Sequence, residues 1–116
     1  MAEECIFCKI ARKEIKTDIV YENDNFVAFP DANQKTEGHT LIVPKKHFVN
    51  CLDLPVSLGV ELIDAIKAVA EIRLKEGAEG FNIIQNSGEC AGQVIMHAHF
   101  HLLPRKKGDG KEHYNI

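Results

Sequence analysis

Three of the chain's six histidines fall together as His97-Ala98-His99-Phe100-His101, with Met96 before them and Leu102 and Leu103 after. A β-strand sends successive side chains to opposite faces. The spacing therefore puts the three imidazoles on one face and Met96, Ala98, Phe100 and Leu102 on the other. On a helix the same residues would fan out by about 100° per step, and no shared site would form. The stretch carrying the three histidines, Met96–Leu102, is therefore expected to be a strand with one apolar face and one chemically active face. A single half-buried histidine on a sheet is ordinary. Three in strict alternation each need a partner or suffer desolvation, and histidine is a weak strand former. Such a face offers either a metal cage or a nucleophilic nitrogen with donors beside it.

The rest of the chain reads as more strands and one long helix. Ile19-Val20-Tyr21-Glu22 and Phe26-Val27-Ala28-Phe29 flank Asn23-Asp24-Asn25, a turn cluster, and so predict a hairpin. Thr40-Leu41-Ile42-Val43 is a buried strand closed by Pro44, and Phe81–Gln85 is another. Between them a helix is expected over Val56–Glu76, with Pro55 at its first turn and Gly77 at its exit. Leu62, Ile63, Ile66, Val69 and Ala70 share its apolar face. Cys5 to Arg12 suggests a short helix with Ile6, Phe7 and Ile10 on one side. Pro30–Gly38 and Asn86–Gly92 are loops, and residues 106–116 form a polar, loose tail. At 116 residues the chain is one domain, 1–116, of the α+β class with an antiparallel sheet.

Charge narrows the function. A net charge of −3 gives no electrostatic footprint for nucleic acid, so any phosphate must be met by local donors. No apolar run reaches membrane-spanning length, and Met1–Cys5 is acidic without an apolar core, so neither a membrane anchor nor a signal peptide is expected and the chain reads as cytoplasmic. Of the four cysteines, Cys5 and Cys8 stand as C-x-x-C, a metal or redox spacing, whereas Cys51 and Cys90 are isolated.

The chain resembles the histidine-triad (HIT) family, and within it the nucleotide-phosphoramidate hydrolases called histidine-triad nucleotide-binding proteins. His97–Leu103 fits the family's His-φ-His-φ-His-φ-φ signature, where φ is apolar. Cys5–Ile10, Ala28–Asp31, Gly38–His47, Asn86–Gly88 and Gly92–Gln93 resemble further family blocks in the same order. The resemblance implies a five-stranded antiparallel sheet with one long and one short helix, paired as a homodimer. It implies attack on the α-phosphorus of purine nucleoside phosphoramidates through a nucleotidyl-histidine, with release of the nucleoside monophosphate. By that likeness His99 is the nucleophile, His101 the donor beside it and His39 the supporting histidine. Asp31 would bind ribose, Asn86 and Gln93 the phosphate, and Ile6, Phe7, Ile10, Phe29 and Leu41 the base. Zinc-bearing members imply a structural zinc on Cys5, Cys8, His47 and His97.

Three departures bear on this. Ala32 replaces a larger apolar residue and Gln34 a frequent proline, which predicts a roomier pocket and a looser loop. Val94 stands where many relatives carry a hydroxyl, and valine donates nothing. Other readings are hydrolysis of dinucleoside polyphosphates by the same triad, a metal site on the triad face, and a non-enzymatic nucleotide-binding module.

Overall fold

The computed structural model describes residues 5–111. Its elements are α1 (Ile6–Ala11), β1 (Tyr21–Glu22), β2 (Phe26–Pro30), β3 (Thr40–Pro44), α2 (Gly59–Lys75), β4 (Gly80–Gln85) and β5 (Phe100–Arg105). The five strands form one antiparallel sheet in the order β1-β2-β3-β5-β4. The architecture is the expected α+β one. Asn23 makes the first turn, its side-chain oxygen accepting from the amides of Asn25 (3.1 Å) and Phe26 (2.9 Å). This is the local bonding that favours Asn in turns.

The sheet is covered on both faces. α2 packs Ala65, Val69 and Ala70 against Phe26, Ala28, Ile42, Phe100 and Leu102. On the opposite face, Phe7 and Ile10 of α1 meet Val27, Phe29, Leu41 and Val43. Period-two alternation along β3 and β5 thus sends Ile42 and Leu102 to the α2 side, and Leu41 and His101 to the other.

Several boundaries differ from the sequence reading. The long helix opens with a single 3₁₀ turn, Val56–Leu58, before α2 proper begins. Ile63 is not on its buried face but 53% exposed, in line with Val56 and Val60 at helical spacing. Ile6 likewise turns outward from α1. The segment after β5 is not loose as far as Lys111: Arg105 donates to both carboxylate oxygens of Asp109 (2.7 and 3.1 Å) and to the carbonyl of Lys111 (2.8 Å). The remainder of the expected tail lies outside the described residues.

The largest correction concerns the histidine strand. β5 begins only at Phe100, so His101 alone of the three lies within it. The β3–β5 register pairs Ile42 with Phe100, and two residues on it would set Pro44 against Ala98. Proline has no N–H to give, so the ladder stops there. Ala98 donates instead to the carbonyl of Phe48 (2.6 Å), and the Pro44 carbonyl takes a hydrogen bond from His97 (2.8 Å). Among the described residues, no helix is long and apolar enough to cross a membrane.

Candidate active site

Hydrogen bonds to backbone fix which nitrogen of each ring carries its proton. A carbonyl can only accept, so the 2.7 Å contact between His99 Nδ1 and the carbonyl of His97 places the His99 proton on Nδ1. Its Nε2 keeps a free lone pair. The Lys35 amide donates to His39 Nδ1 (3.1 Å), so the His39 proton sits on Nε2 and is donated to His101 Nδ1 at 2.9 Å. His101 in turn carries its proton on Nε2. The rings of His99 and His101 stand 5.0 Å apart, centre to centre. A lone pair and an N–H donor are thus set side by side, the pairing a nucleophile and an anion-stabilising group require.

Burial keeps the His39 and His101 rings neutral. It pushes the pKa of His101 down to about 4, helped by the neighbouring His99 and His39. His39 is also lowered by burial, with the Asp31 carboxylate opposing. The 3.3 Å approach of His39 Nε2 to Asp31 Oδ2 is therefore a contact of a neutral ring and not an ion pair.

The site opens into a cavity of about 590 Å³ on the α1 side of the sheet. His39, His99, His101, Asp31, Asn86, Ile6, Phe7, Ile10, Phe29 and Leu41 all line it. Sequence reasoning did not single out Thr17, Lys35, Ile84, Ile95 or Leu103, which line it too. The signal for Leu103 was available, since it lies two residues beyond His101 on the same face. Ile84 is set opposite His101 in the β4–β5 register, and no sequence pattern announces that pairing.

Gln93 is not among the lining residues. Its carboxamide is fully engaged by backbone, accepting from Gly88 (2.8 Å) and donating to the carbonyls of Val49 (2.6 Å) and Ile95 (3.1 Å). In this structure the side chain braces the loop. Ser87 also closes this loop, donating to Gln85 (2.7 Å) and accepting from the amide of Cys51 (3.1 Å). Val94 and Ala32 sit on the cavity wall as the departures suggested. Gln34 does not loosen its loop: it accepts from the Gly38 amide (3.0 Å) and donates to the His39 carbonyl (3.3 Å).

His97 faces a different neighbourhood. The Phe7 ring stands edge-on to both His97 and His99, 5.7 and 5.2 Å away. Beyond it, ligand atoms of Cys5, Cys8, His47 and His97 all lie within 4.8 Å of one another. His97 Nε2 donates to the Pro44 carbonyl, which leaves Nδ1 unprotonated and aimed at the sulfurs of Cys5 (3.3 Å) and Cys8 (3.5 Å). His47 Nδ1 lies 3.3 Å from the Cys8 sulfur. Two sulfurs and two imidazoles, one ring oriented by a carbonyl, fit a metal ion. The donors of Asp31, His39 and His101 are also clustered, but there an ion would displace the His39–His101 bond.

A five-stranded antiparallel sheet whose last strand and the segment leading into it carry His97, His99 and His101, the latter two on an apolar cavity, defines a histidine-triad class of protein. The HIT domain family model matches residues 12–108. The chain is 44% identical to an uncharacterised HIT-like protein of Methanocaldococcus jannaschii over 92% of its length and 83% of the relative's. It is 36% identical to the adenosine 5′-monophosphoramidase HNT1 of Candida albicans, over 88% of this chain and 70% of that one. A crystal structure of a HIT family member from Bacillus subtilis superposes with a TM-score of 0.83 at 39% identity, covering 90% of this chain and 74% of that one. The chain belongs to the HIT family.

Proposed function

We propose that this protein hydrolyses purine nucleoside phosphoramidates at the α-phosphorus, with His99 as nucleophile. The observation that carries the reading is the Nδ1–H bond from His99 to the His97 carbonyl, which leaves Nε2 as a lone pair on a ring lining the cavity. In the first step an Nε2–P bond forms as the P–N bond breaks, and the leaving nitrogen takes a proton from solvent and departs as the amine. In the second, water attacks phosphorus, its oxygen replaces Nε2 and its proton returns to solvent, giving the monophosphate and free His99. His101, with its proton on Nε2, stabilises charge that develops on the phosphate or the leaving group. His39 holds His101 in that tautomer.

The apolar wall of Ile6, Phe7, Ile10, Phe29 and Leu41 suits a purine, and Asp31 at the cavity edge suits ribose hydroxyls. The four-ligand cluster is read as structural zinc, because mixed thiolate and imidazole sets favour that ion. A homodimer is supported by apolar side chains left on the α2 side of the sheet: Val56, Val60 and Ile63 along the helix, and Phe81 and Ile83 on β4.

The test is a hydrolysis panel of adenosine and guanosine phosphoramidates against dinucleoside polyphosphates, with rapid quenching to trap the nucleotidyl adduct. Turnover of the phosphoramidates with label on His99 is expected. Preference for the dinucleoside substrates, or label on another residue, would overturn the assignment.

A further inference from the structure

We infer that Arg73 of α2 is a positioning residue for His39, acting through the sheet from the face opposite the cavity. The inference rests on the reading of His39 and His101 as parts of a phosphoryl-transfer site. The side chain of Arg73 is largely buried, with 13% of its surface exposed, an unusual place for an arginine. It donates from both Nε (3.2 Å) and Nη2 (2.9 Å) to the hydroxyl of Thr40, while Nη1 is held by Glu76 at 2.9 Å. The Thr40 hydroxyl passes the constraint on by donating to the carbonyl of Gly38 at 2.7 Å. With one proton given and two lone pairs taken, that hydroxyl is saturated and has one orientation.

His39 lies between the two residues so fixed, and its imidazole is aimed the other way. Thr40 faces α2 and is completely buried, whereas His39 lines the cavity and meets His101. The backbone at this point has little freedom. Gly38 adopts φ +87°, and a Cβ there would come within 3.2 Å of Pro104 and 3.3 Å of the Arg73 stem. Arg73 therefore closes the turn from behind by packing and by hydrogen bonding together. Gln34 closes it from the front through the Gly38 amide and the His39 carbonyl. The turn sets where His39 Nε2–H points, and this in turn sets the tautomer of His101. Lysine cannot replace the arginine here, because a single ammonium lacks the two-pronged N–H geometry that grips one oxygen.

The test compares Arg73→Met, which keeps the packed stem and removes the donors, with Thr40→Val and its rescue Thr40→Ser. kcat on an adenosine phosphoramidate should fall about tenfold in Arg73→Met and Thr40→Val, since small misalignments at a reacting centre have effects of that size. Thr40→Ser should recover most of that loss. In a His39→Gln background, Arg73→Met should add no further loss. Imidazole ¹⁵N spectra should show His39 shifting from the single Nε2–H tautomer to a mixture in Arg73→Met. Undiminished kcat with a wild-type tautomer in folded Arg73→Met and Thr40→Val would overturn the inference. So would an equal fractional loss in the His39→Gln background. If Arg73→Met does not fold, the Thr40 pair decides. If the wild-type protein does not turn over phosphoramidates, the functional reading fails by itself and the ¹⁵N comparison decides this inference alone.

Discussion

Replacing Asp31 by Asn separates its two roles. One carboxylate oxygen accepts from the Asn33 amide at 2.9 Å, and the other lies 3.3 Å from His39 Nε2. A carboxylate has about four lone-pair sites, so roughly two remain, which matches the two hydroxyls of a ribose. A hydrogen bond to a charged acceptor contributes about 1.5–3 kcal/mol. Wild-type protein should therefore prefer AMP to 2′-deoxy-AMP by roughly 10- to 150-fold. In Asp31→Asn the amide oxygen stays with Asn33 and the NH₂ group cannot accept from a hydroxyl, so that preference should collapse to under about threefold. Calorimetric titration of both nucleotides into both proteins measures the ratio directly, and neither ligand turns over. Stability should change little in Asp31→Asn, whereas Asp31→Ala loses the turn bond and should cost about 1 kcal/mol in urea unfolding. The Asp31 charge is the neighbour that works against burial at His39 and His101, so its removal leaves both rings neutral and adds no titration to the result. An Asn variant that still discriminates like wild type would refute the ribose assignment and leave Asp31 as a turn residue.

His99→Gly should abolish turnover while AMP still binds, because His101, Asp31 and the apolar wall remain; equilibrium dialysis and steady-state assays separate the two. Protein purified without chelator should carry about one zinc per chain, lost in Cys8→Ser, and stripped protein should melt lower until zinc is restored; metal-free protein indifferent to added zinc would count against the site. Light scattering at micromolar concentration should give a dimer mass, and Ile63→Glu should give the monomer; a wild-type monomer would refute the pairing. His101 is half-buried and neutral with a folded pKa of about 4, below the ordinary 6.5, so the unfolded chain takes up protons first. Its contribution is complete above pH 6.5 and is lost as pH falls toward 4, at up to about 1.4 kcal/mol per pH unit. Urea midpoints between pH 7 and 4.5 should fall less steeply in His101→Gln than in wild type.

The sequence carried the fold class well, because the α2 face and the strand alternation are periodic signals that depend on neighbours a few residues away. The triad spacing singled out His99 and His101 and the family likeness singled out His39, and all three line the cavity. The start of β5 was misread for a reason that periodicity does not carry: the missing amide of Pro44, more than fifty positions earlier in the chain, ends the ladder. The bracing of the loop by Gln93 was not legible either, because its three backbone partners come from distant or irregular segments. The same limit hid Ile84, whose place beside His101 is a matter of register. Ile63 fell on the expected helix yet turned outward, because helical spacing alone does not set the edge of the buried arc.

The strand order has a consequence for how the molecule comes together. Among the described residues β5 is the last strand in sequence, but it lies inside the sheet, between β3 and β4. β1, β2 and β3 form one meander of consecutive neighbours, and β4 and β5 form a second unit joined to it through α2. The β3–β5 ladder is the seam along which the two units dock. His39 and Leu41 come from one bank of that seam, and His99, His101 and Leu103 from the other. The four possible metal ligands divide the same way, with Cys5, Cys8 and His47 on one bank and His97 on the other. Neither half holds the His39–His101 pair or a complete ligand set before docking. An ion bound by all four would be a cross-link closing the long loop between the halves, and it would penalise the undocked state most. The His39–His101 pair and the four-ligand cluster are therefore properties of the closed seam, and both wait on the docking of β5.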